Sequence, residues 1–167
     1  MSNLRDETTK LSHIDEGGGA RMVDVGAKPI TKRMAAAEGF VRISAELEQR
    51  IRENSLAKGS LLDVARLAGI LAAKRTDELI PLCHTLPLDA VDITLELTSG
   101  GIRVCATVRT ESRTGVEMEA LTAVAVACLT VIDMGKSVDK SMVIESIRVT
   151  EKHGGRHGSY IAPASLE

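Results

Sequence analysis

The sequence predicts an α+β two-layer sandwich, a mostly antiparallel sheet with helices on one face, and three observations predict it. Two alternating runs, Val91–Leu97 and Ile102–Val108, flank a Ser99-Gly100-Gly101 turn signal and read as a hairpin with one buried face. A long apolar helix follows within Thr114–Lys140. Strand-like segments at Gly39–Ile43 and Val143–Val149 lie outside this hairpin and helix. The resulting order, β-α-α-β-β-α-β, is that of a ferredoxin-like sandwich.

Each element has its own local warrant. Residues 1–20 are polar, end in Gly17-Gly18-Gly19 and carry no apolar period, so they are expected to form a flexible arm. Met22–Val25 reads as a short extended piece that Pro29 interrupts. Gly39–Ile43 alternates apolar with polar, which predicts the first strand. Ser44 has the chemistry of an N-cap, with Glu48 in the first turn of a helix running to Asn54. Ser60 or Asp63 caps a second helix in which Leu62, Leu67, Ile70 and Leu71 recur near helical spacing as far as Lys74. Thr76-Asp77-Glu78 opens one more turn. Pro81 and Pro87 then hold the residues between them extended. The last strand is expected to end before Lys152, ahead of the Gly-rich stretch 154–158. With no internal repeat and no composition break, residues 21–159 are read as one catalytic α+β domain, between a 1–20 arm and a 160–167 tail.

Composition narrows the function classes. A chain of 167 residues buries about 70% of its unfolded surface in one domain. Its only aromatics are Phe40 and Tyr160, so the core is aliphatic and platforms for stacking bases are missing. A net charge of −2 exerts no general pull on nucleic acid or anionic membrane, and neither is expected as a partner. The longest uncharged apolar run, Ala120–Ile132, has 13 residues, where a membrane span needs about 20. No apolar signal segment opens the chain, and Cys83, Cys105 and Cys128 form no C-x-x-C pair. The expectation is a cytoplasmic protein with reduced thiols and no metal site.

The apolar helix carries an unusual polar stripe. Glu119, Thr122, Thr130 and Asp133 fall within a wedge of roughly 80°, and nearly every other position is aliphatic. Fourteen residues separate Glu119 from Asp133, which is about 21 Å along the axis. One compact site in one subunit cannot use both directly. Either the ligand is long or a second copy of the chain completes the site.

No G-x-G-x-x-G, Walker loop, G-x-S-x-G or H-E-x-x-H occurs, so chemistry must come from charged residues in costly places. Asp133 and Lys136, three apart at a helix end, are either an ordinary ion pair or a general acid/base pair. Lys58 and Lys74 flank the second helix as solvated charges or anion ligands. Cys83-His84 is either a core thiol beside a surface imidazole or part of a binding loop, its two side chains expected on opposite sides of an extended segment.

Five blocks then carry a resemblance: M-V-D-V (22–25), A-R-L-A-G-I-L-A-A-K-R-T (65–76), L-I-P-L-C-H (79–84), T-G-V-E-M-E-A-L-T-A (114–123) and I-D-M-G-K (132–136). In this order they closely resemble the cyclic pyranopterin monophosphate synthase family, protein C of the molybdenum-cofactor pathway, from about Leu11 to Ser159. The resemblance implies a lyase that rearranges 3',8-cyclo-7,8-dihydroguanosine 5'-triphosphate to cyclic pyranopterin monophosphate and releases diphosphate. It makes Asp133 and Lys136 the catalytic pair. It implies substrate binding by Leu82, Cys83, His84, Met118 and Glu119, with Lys58, Lys74, Arg33 and less firmly Lys152 as the surrounding cations. It implies a homohexamer, a trimer of dimers with sites at dimer interfaces, a small nucleotide-derived substrate as partner, and no cofactor unless Mg²⁺ accompanies the triphosphate.

The chain departs from the family pattern at Thr85, where Pro is usual, which is expected to loosen the substrate loop. It departs again in G-G-R-H-G (154–158), where G-G-K-S-G is common. The competing class is a non-enzymatic oligomeric module of the same fold that binds a nucleotide or anion.

Overall fold

The computed structural model describes residues 13–14, 17–55, 60–155 and 158–163. In chain order its elements are β1 (Thr31–Arg42), α1 (Ala45–Arg52), α2 (Leu61–Ala73), α3 (Thr76–Leu79), β2 (Ala90–Thr98), β3 (Gly101–Ser112), α4 (Glu117–Gly135), β4 (Val143–His153) and β5 (Tyr160–Ile161). The strands form one antiparallel sheet in the order β2-β3-β1-β4-β5, with α4 laid across β1, β3 and β4 and α2 packed beside it. This is the ferredoxin-like sandwich expected.

Small residues let the layers approach. On β1, Ala35, Ala37 and Val41 are fully buried beneath α4, together with Val104, Ala106 and Val108 from β3. A Cβ on Gly39 would lie 2.7 Å from Val124 Cγ1, so that position must stay bare for α4 to sit down. The helix starts behave as read: Ser44 Oγ accepts from Leu47 N and Ser60 Oγ from Asp63 N, which settles the second cap on Ser60.

Strand boundaries differ from expectation: β3 runs on to Ser112, past Val108, and Tyr160–Ile161 of the expected tail form β5. β1 begins at Thr31, eight residues before Gly39, through the Ala-rich stretch Met34–Ala37. That segment is paired on both sides, to β3 and to β4, and two ladders override a weak strand preference. β4 likewise runs through Lys152 to His153, because Lys152 pairs with Ala35 on one side and Tyr160 on the other. Of the arm expected over residues 1–20, most lies outside the described residues; Ile14 and Ala20 form an isolated bridge.

Antiparallel pairing decides where the polar residues go. The start of β1 lies beside the ends of β3 and β4, with Thr31 opposite Ser112 and Met34 opposite His153. The N-terminus of α4 and the 82–88 linker close the same edge. The opposite edge gathers the end of β1, the start of α1 and the C-terminus of α4.

Candidate functional site

At the first of these edges lies a cleft of about 780 Å³, within the size range of small-molecule sites. Leu82, Cys83 and His84 from the linker and Met118 and Glu119 from α4 line it, with Arg33 from β1 and Lys152 from β4. The structure therefore brings together six of the sequence-predicted residues, and Lys152 as well. Cys83 and His84 both line the cleft, where the extended reading had expected opposite sides, and the linker opens with a turn closed by Cys83 N donating to Ile80 O. Thr85, where Pro is usual, donates its hydroxyl to the Asp77 carboxylate, a bond Pro could not make, which links this loop to α3.

The cleft has an acidic floor and a basic rim. Glu119 is buried, 4% exposed, and burial pushes its carboxyl up to about 7, with the charges of Glu117 and Asp77 acting the same way. Burial, then Glu119 and Asp77, likewise push the Cys83 thiol up, so it stays protonated at neutral pH. Glu117 is held differently: Lys152 Nζ donates to its Oε1 at 2.8 Å, which carries the lysine across from β4 to the first turn of α4.

Arg33 is seated by the end of β3 and by two glycines. Its Nε and Nη2 donate to the carbonyls of Ser112 and Arg113, each at 3.4 Å. Gly154 and Gly155 have φ of +93° and +87°, and a Cβ on Gly155 would lie 2.1 Å from Arg33 Nη1. The backbone angle favours glycine at both positions, and at Gly154 an added Cβ would also lie 2.4 Å from the Lys32 carbonyl oxygen, backbone that cannot step aside. Arg156 and His157 of the same stretch lie outside the described residues.

Residues 23–28 form a strap along the cleft. His84 Nε2 lies 2.8 Å from Val23 O, and a carbonyl only accepts, so Nε2 carries the proton in this bond. Arg113 Nε donates to Lys28 O at 3.2 Å. Sequence reading took Met22–Val25 as a short extended piece and missed its place here, as it missed Arg113, Glu117 and His153. Val23, Arg113 and Glu117 are tied to their partners across tens of residues, where no local pattern signals the contact, whereas His153 bonds to its near neighbours Glu151 and Ser159.

The predicted catalytic pair lies elsewhere in the subunit. Lys136, the C-cap of α4, donates from Nζ to Asp133 Oδ1 at 2.6 Å, with side chains 60% and 62% exposed. An exposed ion pair of this kind contributes about 0–1 kcal/mol. Lys136 also borders a shallow pocket of about 450 Å³ with Ile132, Asp139, Lys140 and Met142. Lys74 is the exposed C-cap of α2 and does not line the cleft. Lys58 lies outside the described residues. Among the described residues, no group of three His, Cys, Asp or Glu is placed to hold a metal ion.

Residues 22–155 match the model of the MoaC family. The chain is 54% identical over 152 residues to the cyclic pyranopterin monophosphate synthase of Novosphingobium aromaticivorans, covering 91% of this chain and 97% of that protein. It is 54% identical over 155 residues to the protein of that name from Parvibaculum lavamentivorans, covering 92% and 97%. It is also 53% identical over 151 residues to the one from Streptomyces griseus, covering 90% and 85%.

Proposed function

This chain belongs to the MoaC family, and on that premise we propose that it forms cyclic pyranopterin monophosphate in molybdenum cofactor biosynthesis. The substrate is the cyclic dihydro-GTP intermediate, the second product is diphosphate, and the enzyme is a cytoplasmic lyase. What carries the reading is that the two blocks of the resemblance that bear binding residues, Leu82–His84 and Met118–Glu119, meet in one cleft with a basic rim.

The residue chemistry suits the reaction. Opening the imidazole ring of a purine and closing a pterin requires repeated proton transfers to nitrogen and carbon. Asp133 and Lys136, in hydrogen-bond contact, act as general acid and base for these steps. His84 and Glu119 hold the substrate. A triphosphate of about −4 charge needs several cations, which Arg33 and Lys152 at the cleft supply together with Lys58 and Lys74. Closing the cyclic phosphate with diphosphate as leaving group is a matter of positioning and charge neutralisation, with or without Mg²⁺ on the triphosphate.

The acid–base pair and the cleft sit at opposite ends of α4, about 21 Å apart along its axis. One site therefore takes its cleft from one subunit and its Asp133–Lys136 pair from a neighbour, in a homohexamer built as a trimer of dimers. Leu67 and Leu71 on α2 and Leu129 on α4, each more than half exposed in the single chain, support burial against another copy. Incubating the purified protein with the cyclic dihydro-GTP intermediate, then oxidising and reading pterin fluorescence, tests the activity. Product is expected. Binding without product would favour the non-enzymatic module.

A further inference from the structure

The loop after α4 is fastened to the rest of the subunit at both of its ends, and Lys136 lies between the two fastenings. At the near end, a Cβ on Gly135 would come 2.8 Å from Leu47 Cδ2 and 3.2 Å from the Met142 side chain, so the end of α4 rests directly on α1. At the far end is Asp139, a buried carboxylate only 4% exposed. Both of its oxygens are occupied. Oδ1 accepts from Ser141 N at 2.8 Å and Ser141 Oγ at 2.7 Å, and Oδ2 accepts from Ser44 N at 2.6 Å. Between these points the backbone is wound into one turn, with Val138 N and Asp139 N both donating to Gly135 O and Lys136 N to Ile132 O.

The seat beneath this loop is firm. Ser44 is the N-cap of α1, Leu47 is fully buried, and α1 is bonded to the hairpin through Gly100 N donating to Glu48 Oε2. A negative charge at the N-terminus of α1 also lies where the helix dipole favours it. Burial alone raises the carboxyl of Asp139, but the bonds from Ser141 and Ser44 outweigh it and hold it below the usual carboxylate range. Asp139 is thus ionised at neutral pH and accepts at both oxygens, which an amide of the same shape cannot do.

We infer that Asp139 is a positioning residue for the reaction: it anchors the Gly135–Asp139 turn to the N-terminus of α1 and so fixes where the Lys136 amine stands. The exposed ion pair to Asp133 is too weak to hold a long lysine side chain in one place, so the backbone beneath it must be held instead. This inference rests on the reading of Lys136 as an acid–base group.

The test is Asp139→Asn in the assembled protein. The amide must turn its NH₂ toward a backbone N–H, and the anchor breaks without a change in volume. Turnover number is expected to fall about tenfold or more while KM stays within about twofold, because a misplacement of about 1 Å in a reacting group costs rate before binding. The second readout needs no catalysis. Brief acetylation of surface amines, quantified by peptide mass spectrometry, should label Lys136 about threefold faster in the variant as it leaves Asp133, with exposed Lys32 on the far edge unchanged as control.

Unchanged kcat, or reduced kcat with unchanged Lys136 labelling, in a folded and assembled variant would overturn the inference. Should Asp139→Asn fail to fold, Ser141→Ala removes one of the three donors at an exposed position. It is expected to shift kcat and labelling in the same directions by a smaller factor, and no shift in either would equally overturn it. Lys136→Ala separates the two readings: an active Lys136→Ala protein removes Lys136 from the mechanism, whereas faster Lys136 labelling in Asp139→Asn would still establish the anchor.

Discussion

Glu119 shows how one residue can be costly to the fold and useful to the site. Its carboxyl goes from 4.5 to about 7 on folding, mainly by burial. A carboxyl raised in this way binds more protons folded than unfolded between pH 4.5 and about 7, so stability falls as pH rises through that window. The full cost of ionising it in place is on the order of 3 kcal/mol. Glu119→Gln removes that cost. The variant should therefore melt several degrees above the parent at pH 8, with the gap closing toward pH 5, as followed by calorimetry across the range. A gap that does not depend on pH would mean that the carboxyl is not strained by ionisation. On the proposed function the same variant loses turnover, the usual exchange of stability for activity at a binding site.

At the scale of elements, the crossing of α2 and α4 depends on one bare position. A Cβ on Gly69 would lie 2.6 Å from Ile93 Cδ1 and 2.9 Å from Ala123 O, backbone that cannot step aside. Gly69→Ala gains helix propensity, about 1 kcal/mol, yet overpacks the seam, and overpacking costs about 1–3 kcal/mol. The expected net effect is a lower melting temperature; a stabilised Gly69→Ala would show that the two helices are free to separate. In the sequence this glycine looks like a flaw in a good helix, because propensity is local and its reason for being there is not. The same distinction divides what was legible from what was not. The hairpin around Ser99–Gly101 and the cap Ser44 follow from neighbouring residues, and the sequence predicts them, as it narrows the second cap to Ser60 or Asp63. The first half of β1 depends on two partner strands, and T-K-R-M-A-A-A carries no strand pattern of its own. In the candidate site, the block motifs pointed to Leu82–His84 and Met118–Glu119. The links that order the cleft, Glu117 to Lys152 across 35 residues and His84 to Val23 across 61, have no sequence signature.

For the molecule as a whole, the polar stripe on α4 makes assembly a requirement of the proposed chemistry. Within one subunit the sheet keeps the cleft and the Asp133–Lys136 pair at opposite edges, because β1 and α4 each run the length of the layer between them. A shared site has a consequence that a site within one subunit lacks. Take His84→Ala, which impairs the cleft, and Lys136→Ala, which removes the acid–base amine, each inactive alone. Dissociate both, mix them in equal amounts and reassemble. In a dimer holding one of each, one site receives both lesions and the other receives neither. With random pairing, half of the dimers are mixed and each has one intact site out of two, so roughly a quarter of the parent activity should return. Measuring turnover against mixing ratio, with native mass spectrometry to count mixed assemblies, reads this directly. Activity that rises with the mixed fraction places the cleft of one subunit beside Lys136 of its neighbour. Mixed assemblies that stay inactive would mean that the two ends of α4 do not meet across a subunit boundary, and the acid–base role would then have to pass to groups already in the cleft, Glu119 first among them.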